Sequence, residues 1–99
     1  MAAYIIANVE ITDAAAYDEY RKGVPATLAR HGGRFLARGG AVTRLEGNAE
    51  WNRVVILEFA DVAAARAWYE SPDYQPLAKL RQRASRSNLI IVEGAPPAP

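Results

Sequence analysis

The ten residues His31–Gly40 (HGGRFLARGG) constrain the fold most, because two different hydrophobic periodicities meet there. Apolar residues before this segment recur at three- and four-residue spacing, which predicts an amphipathic helix, whereas the residues after it fit a strand. Gly32 suits the left-handed position that follows a helix. The second glycine pair, Gly39-Gly40, predicts a bulge within one strand running over Arg34–Leu45, with a tight hairpin as the alternative.

The rest of the chain repeats the order strand, helix, strand. Residues Ala3–Ile11 alternate as a strand, Thr12 or Asp13 can cap the helix that follows, and Pro25 predicts a kink near Lys22 to Pro25 because proline removes a ladder hydrogen bond. Further strands are predicted at Arg53–Phe59 and Asn88–Glu93, separated by two short helices that Asp61 and Ser71 cap. The order βαββαβ predicts an α+β, ferredoxin-like fold with a four-stranded antiparallel sheet and its helices on one face.

Composition excludes several classes of function. The 99 residues contain no cysteine and one histidine, so thiolate chemistry and Cys- or His-rich metal sites are excluded and no cofactor is expected. The net charge of +1 argues against a nucleic-acid-binding surface. No apolar run approaches the ~20 residues of a membrane span, and no signal-peptide pattern is present. We expect a cytoplasmic protein with a single domain at 1–94 and a flexible Pro/Ala tail at 95–99.

The predicted strands are apolar on both faces. Val54 and Ile56 alternate with Val55, Leu57 and Phe59, and the last strand has the same character. Helices can cover only one face, so five or six aliphatic side chains, each contributing roughly 1.5–3 kcal/mol when buried, are left on the other. Exposure on this scale marks an interface, and we predict a homodimer whose sheets pack face to face.

Several segments carry a resemblance that covers Tyr4 to Gly94. They are Tyr4–Val9, Tyr17–Arg21, His31–Gly40, Leu45–Gly47, Val54–Phe59, Ala67–Tyr69, Ser71–Tyr74 and Ile91–Gly94. Together they resemble the family called domain of unknown function 1330, in the dimeric α/β-barrel superfamily. The resemblance implies a ferredoxin-like monomer, a barrel-like dimer and no assigned activity. Cofactor-free monooxygenases, small-molecule isomerases and haem enzymes are related families, whose chemistry would be carried over only by analogy.

Three polar residues interrupt the apolar strands: Asn8, Arg38 and Glu58. Arg38 and Glu58 lie on strands expected to be neighbours, so they could form a structural ion pair across the sheet. Alternatively, the three residues form the polar floor of a pocket between sheet and helices, with Arg38 as an anchor for an anion.

His31 ends the first helix, where a cation interacts favourably with the helix dipole; the alternatives are a general base or a haem ligand. Tyr20, Tyr69 and Tyr74 belong to a concentration of aromatic rings that either fill the core or wall a pocket, with Tyr20 and Tyr74 offering hydroxyls. The basic end of the last helix, at Lys79, Arg81, Arg83 and Arg86, is interpreted as a solvated face.

Three hypotheses follow for function. The first is a small-molecule-binding homodimer, with Asn8, Tyr20, Arg38, Tyr69 and Tyr74 as ligand-binding residues. The second is a cofactor-independent enzyme acting on a small aromatic or oxo-acid substrate, in which His31 or Glu58 moves protons. The third is a structural or assembly protein that has no ligand.

Overall fold

The computed structural model describes residues 1–96 and confirms the ferredoxin-like order, with the second helix divided in two. The elements are β1 (Ala3–Ile11), α1 (Ala14–Arg30), β2 (Arg34–Arg38), β3 (Arg53–Phe59), α2 (Val62–Glu70), α3 (Gln75–Ala84) and β4 (Ser85–Glu93). All neighbouring strands are antiparallel, in the order β2-β3-β1-β4. Of the tail predicted at 95–99, residues 97–99 lie outside the described residues.

Capping residues set both ends of α1. The Asp13 side chain accepts a hydrogen bond from the backbone N–H of Ala16, as predicted. At the other end, Gly32 has a φ of +69°, and Gly33 donates its N–H to the carbonyl of Leu28 at 2.9 Å. This is a Schellman motif, which satisfies carbonyls that the helix leaves free and turns the chain toward β2. The helix is continuous through Pro25.

The strand predicted at Arg34–Leu45 was wrong in length, since β2 ends at Arg38. Neither the predicted bulge nor the hairpin occurs at the second glycine pair. Gly39 instead leaves the sheet with a φ of +70° while its N–H donates to the carbonyl of Val54 at 2.9 Å. Residues 40–52, here called the arm, have no helix or strand, and Arg44 donates to two carbonyls within it. Such local side-chain hydrogen bonds compete with a strand ladder.

The bulge lies within β2. Phe35 is paired with Leu57 and Ala37 with Ile56, so Leu36 is an extra residue without a partner. A single inserted residue reverses the alternation beyond it. As a result Arg38 is paired with Val55, and both side chains are on the face of the sheet that the helices cover.

Helix boundaries in the second half differ slightly from the prediction. Ser71 accepts a hydrogen bond from the N–H of Tyr74 through its hydroxyl, as a cap does, but it caps a turn, and α3 begins only at Gln75. The next strand starts at Ser85, directly after the helix, three residues earlier than expected.

The core lies between the helices and one face of the sheet. Trp68 lies at its centre, 1 % exposed, with its ring centroid 3.9 Å from that of Tyr74 and 5.6 Å from that of Phe59. Its indole N–H donates to the hydroxyl of Thr27 at 3.0 Å. The β1 side chains on this face, from Ala3 to Val9, are all buried.

No helix among residues 1–96 covers the opposite face of the sheet, here called the open face. It carries five aliphatic side chains, Ile6, Val54, Ile56, Ile90 and Val92, on the alternate positions of β1, β3 and β4. Ile90 is 57 % exposed and Val92 is 40 % exposed. The structure therefore has apolar residues on both faces of the sheet, as the sequence predicts.

Candidate ligand-binding cavity

A cavity lies between α1 and the face of the sheet that the helices cover, here called the covered face. Its empty volume is about 490 Å³ out to the open mouth. The enclosed part of the cavity is narrow and has room for only a few water molecules. A larger ligand therefore requires movement of the exposed side chains that line the cavity, which include Arg21 and Arg38.

Strand register divides the cavity floor into rows across the sheet. Arg53 on β3 is paired with Val9 on β1, and Val9 is paired with Ser87 on β4. The Arg81 guanidinium donates to the Ser87 hydroxyl at 2.5 Å, so cations flank Val9 on both sides. This row is the cationic end of the cavity.

Two further rows lead away from the cationic end. The next row across the sheet consists of Arg38, Val55, Ala7 and Leu89. Because the side chain of Ala7 is small, the cavity is deepest at the middle of this row. The row beyond is wholly apolar, consisting of Phe35, Leu57, Ile5 and Ile91. From the cationic to the apolar end the floor spans about 13 Å along β1, at about 3.3 Å per residue.

Four arginines line the cavity, at positions 21, 38, 53 and 81, and no acidic residue among 1–96 lines it. Arg21 has a carboxylate partner in Asp18. The other three form no salt bridge within the described chain. The Arg38 guanidinium lies 4.2 Å from the Phe35 ring centroid, and that of Arg53 lies 5.6 Å from the ring of Tyr17. These cations therefore rest on aromatic faces.

Arg81 belongs to a buried hydrogen-bonded chain. The hydroxyl oxygens of Tyr20 and Tyr74 are 2.7 Å apart, and Arg81 Nε donates to the Tyr74 hydroxyl at 3.4 Å. Burial raises the pKa of both tyrosines above the ordinary value of 10.0, so both are protonated at neutral pH. Either hydroxyl can donate in the bond between Tyr20 and Tyr74, and in both cases this bond connects the Tyr20 side chain to Arg81 through Tyr74.

The structure brings together some of the predicted ligand-binding residues. Tyr20 and Arg38 both line the cavity. Tyr74 is fully buried behind Tyr20 and reaches the cavity only through that hydrogen bond. Tyr69 does not line this cavity and packs against Trp68 and Tyr74.

Asn8 lies apart from the cavity. Its side chain is on the open face, where it donates to the carbonyl of Glu50 at 3.0 Å and accepts from the N–H of Asn52 at 2.9 Å. These two hydrogen bonds hold the end of the arm against the sheet. A polar residue in this apolar strand is thus explained by its hydrogen bonds to the arm.

The predicted pair of Arg38 with Glu58 was wrong. Glu58 is paired in register with Arg34, which donates Nε to its carboxylate at 2.6 Å. The bulge at Leu36 is the reason, because it turns Arg38 to the covered face while Glu58 stays on the open face. Glu58 does not line the cavity.

His31 also lies outside the cavity. It is the C-cap residue of α1, and its Nε2 is 3.8 Å from a carboxylate oxygen of Asp73. The same oxygen accepts a hydrogen bond from Arg30 Nε at 2.8 Å. The helix-end position predicted from the sequence is where the structure places this residue.

Sequence reasoning missed two of the three cavity arginines that form no salt bridge within residues 1–96. Arg81 was interpreted as part of a solvated face, and this was wrong, since it is only 3 % exposed. The available signal was its position within the apolar stripe of the last helix, four residues after Leu77 and three before Ala84. Arg53 was treated only as the first residue of a strand, although its place two residues before Val55 puts it on the covered face.

Other kinds of site are not formed by the described residues. Among residues 1–96 no group of three or more His, Cys, Asp or Glu side chains is placed to hold a metal ion. Within the same range no helix is both long and apolar enough to cross a membrane.

A family model described as "Domain of unknown function (DUF1330)" matches residues 2–95 of the chain. A search of curated proteins gives no significant match. Among solved structures, the chain is similar to RPA0582, a protein of unknown function from Rhodopseudomonas palustris, with 25 % identity and a TM-score of 0.77 over 97 % of this chain and 84 % of that one.

Two more distant structures share the fold. A dimeric ferredoxin-like protein of unknown function from Jannaschia sp. CCS1 is 18 % identical, with a TM-score of 0.66 over 95 % of this chain and 100 % of that one. SnoaB, a cofactor-independent oxygenase from Streptomyces nogalater, is 19 % identical, with a TM-score of 0.65 over 99 % of this chain and 97 % of that one. Both support the ferredoxin-like fold, and the first is described as dimeric.

Proposed function

Because the chain belongs to the DUF1330 family, whose function is unknown, we propose from its own geometry that it binds a small organic molecule in the cavity between α1 and the sheet. The observation that carries this proposal is the lining of the cavity. Three arginines that have no carboxylate partner within residues 1–96 converge there with the rings of Tyr17, Tyr20, Phe35 and Trp68. Apolar walls with a few convergent polar groups are the usual composition of ligand pockets.

Binding is favoured over acid–base catalysis. Among the described residues, the cavity lining contains no carboxylate, imidazole or thiol. Two tyrosines, Tyr17 and Tyr20, belong to the lining. Tyr20 is held protonated by burial, so its hydroxyl is a hydrogen-bond donor and not a base. A general base has to lie within hydrogen-bond reach of the proton that it takes, and both His31 and Glu58 lie outside the lining.

The binding unit in this proposal is a homodimer formed through the open face. Five aliphatic side chains are gathered there, and each contributes roughly 1.5–3 kcal/mol when it is fully buried. Together these contributions are comparable with the whole stability of a small domain, about 5–15 kcal/mol. The dimeric description of a structural neighbour supports this assembly.

Filling the cavity tests the proposal. Ala7→Leu adds a larger side chain at the low point of the floor, and Leu89→Phe, in the same row, is a second variant in case the first does not fold. The matched control is Ala26→Leu, which makes the same change on the exposed side of α1. The measurement is thermal stabilisation of each protein by a panel of small aromatic and aliphatic acids, amides, alcohols and amines.

We expect at least one compound class to stabilise the wild-type protein and the control, and to lose its effect in the filled variants. The proposal is wrong if no class stabilises the wild-type protein, or if the filled variants respond as the wild type does.

A further inference from the structure

We propose that the ligand is a small organic monocarboxylate with an apolar or aromatic body, held with its carboxylate at the cationic end and its body over the apolar row. This inference rests on the proposed binding function and specifies the chemistry of the ligand. It follows from three independent observations: an unpartnered donor, a buried cation and the division of the cavity into two ends.

The unpartnered donor is Nε of Arg53. This atom is buried and has no hydrogen-bond partner within the described structure. Buried polar groups without partners are rare because each loses its hydration without compensation. Arg53 lines the cavity, so a movement of its side chain would bring this donor to a carboxylate oxygen bound there. A guanidinium can bind both oxygens of a carboxylate in parallel, which a neutral ligand cannot reproduce.

The buried cation is Arg81. It is 3 % exposed, and its hydrogen-bond partners are the neutral hydroxyls of Tyr74 and Ser87. Burial lowers the pKa of Arg81, but the neighbouring tyrosines Tyr74, Tyr20 and Tyr69 together raise it above its ordinary value, so Arg81 is charged. Isolated buried charges are costly unless an opposite charge is near. Within the described chain no carboxylate supplies that charge at the cavity, and a bound acid would.

Arg38 adds a third positive charge in the row next to the cationic end. It registers with Val55, and Arg53 lies two residues earlier on the same face of β3. Diagonal neighbours of this kind have Cα atoms about 7–8 Å apart, within the reach of long side chains. Because like charges at this separation repel each other, an anion placed between them stabilises the folded protein.

The far end of the cavity determines the rest of the ligand. Ile5, Leu57 and Phe35 form the last row of the floor, and Trp68 also lines the cavity. An inorganic anion would leave these apolar surfaces without contacts, whereas a phenyl ring or short alkyl chain attached to a carboxylate covers them. A single acid group fits best, since the second end offers no charged partner among the described residues.

Matched acid and amide pairs test this inference on the intact protein. The probes are benzoate with benzamide, phenylacetate with phenylacetamide, and hexanoate with hexanamide, together with inorganic phosphate. Titration calorimetry measures the dissociation constant of each. We expect at least one acid to bind tenfold or more tightly than its own amide, and more tightly than phosphate, because a hydrogen bond to a charged group is stronger than one to a neutral group.

Arg53→Gln removes the charge and the unpartnered donor, and Arg83→Gln is the control, because it makes the same substitution at an exposed position of α3. Arg53→Gln should weaken acid binding by about tenfold or more while amide binding stays within about twofold; the control should change neither. Arg38→Gln is the second variant if Arg53→Gln does not fold.

Equal affinities for an acid and its amide would overturn the inference and leave the proposed binding function intact. Phosphate binding as tightly as the acids would also overturn it, since the site would then recognise charge without an apolar body. If neither acids nor amides bind, and the broader panel of compounds also fails, the proposed function itself is wrong.

Discussion

Tyr20 and Tyr74 share a hydrogen bond between their hydroxyl oxygens, 2.7 Å apart, inside the core. The two residues are 54 positions apart in the chain, so this bond joins α1 to the turn before α3. It also links the cavity to Arg81, which donates to Tyr74 from the other side. A change at Tyr74 therefore acts on both the stability of the fold and the orientation of the Tyr20 hydroxyl.

Tyr74→Phe is expected to destabilise the protein by about 1–3 kcal/mol, because it leaves buried polar groups on Tyr20 and Arg81 short of a partner. For a domain of this size, each kcal/mol corresponds to about 4–8 °C in Tm. Thermal unfolding followed by circular dichroism measures the change. Tyr69→Phe is the control, since its hydroxyl has no hydrogen bond within residues 1–96, and an equal loss in both variants would contradict the prediction.

Stability should decrease above about pH 10. Burial raises the pKa of Tyr20 and Tyr74 above 10.0, so the folded protein keeps these protons at a pH where the unfolded chain loses them. The unfolded state then binds fewer protons than the folded state, and the free energy of unfolding falls as pH rises, by up to about 1.4 kcal/mol per pH unit for each group. Below pH 10 this contribution is fully present.

Urea unfolding between about pH 8 and pH 11 measures this slope. The double variant Tyr20→Phe/Tyr74→Phe should lose stability less steeply than the wild type over the same range. Parallel curves for the two proteins would show that these tyrosines do not cause the loss.

Gly39→Ala is expected to disturb both β2 and the cavity. Gly39 has a φ of +70°, which costs a residue with a side chain about 1–2 kcal/mol. A Cβ there would also collide with the guanidinium of Arg53. We expect lower Tm and weaker acid binding, measured by thermal unfolding and calorimetry. Gly40→Ala is the control, because a Cβ at Gly40 meets open space; similar losses in both variants would refute this account.

The open face should determine the oligomeric state. Ile90→Lys places a charge on a side chain that is 57 % exposed in the single chain, and burying that charge in a dimer without a partner is costly. Light scattering at micromolar concentration should give a dimer mass for the wild type and a monomer mass for the variant. Ala26→Lys, on the outer side of α1, should stay dimeric. A monomeric wild-type protein would reject the interface.

Substitutions at His31 and Glu58 separate the binding proposal from the enzyme hypothesis. Neither residue lines the cavity, so His31→Ala and Glu58→Gln should leave acid affinities within about twofold of the wild type. Glu58→Gln should cost only about 0–1 kcal/mol, because Arg34, its partner, is 70 % exposed and surface ion pairs contribute little. A large loss of acid binding in either variant would contradict this prediction and show that the substituted residue contributes to the binding site.

The elements with strong local signals could be predicted from the sequence. β1 and β3 have the predicted bounds, because each is a run of apolar residues that ends at a charged or capping residue. Asp13, Asp61 and Gly32 perform the predicted roles at helix ends, since capping depends on the side chain or backbone freedom of one residue.

The path of the chain after Arg38 could not be read in the same way. Val42 and Thr43 are β-branched residues that favour strands, yet strand pairing is a non-local property. The neighbour that the extended strand would need is β3, and β3 begins only at Arg53. Local hydrogen bonds from Arg44 hold residues 44–49 instead.

The site was only partly predictable because it depends on register. Tyr20 and Arg38 were identified by residue type, and both line the cavity. The role of Arg53 depends on its pairing with Val9, and that of Arg81 on the face of α3 that turns inward. Spacing along the chain indicates which face each arginine is on, but it does not show which residues of neighbouring elements that face meets.

The extra residue at Leu36 bears on how other members of the family are to be compared with this chain. If Leu36 were deleted, Arg38 would still point toward the helices, because the shortened strand would regain regular pleating from Phe35 onward. In such a relative the equivalent arginine would lie two residues after the equivalent of Phe35, and an ungapped alignment would match it to Ala37. Whether a relative has the cavity-lining arginine is therefore decided by counting from its equivalent of Arg34, the partner of Glu58, with a gap allowed at Leu36.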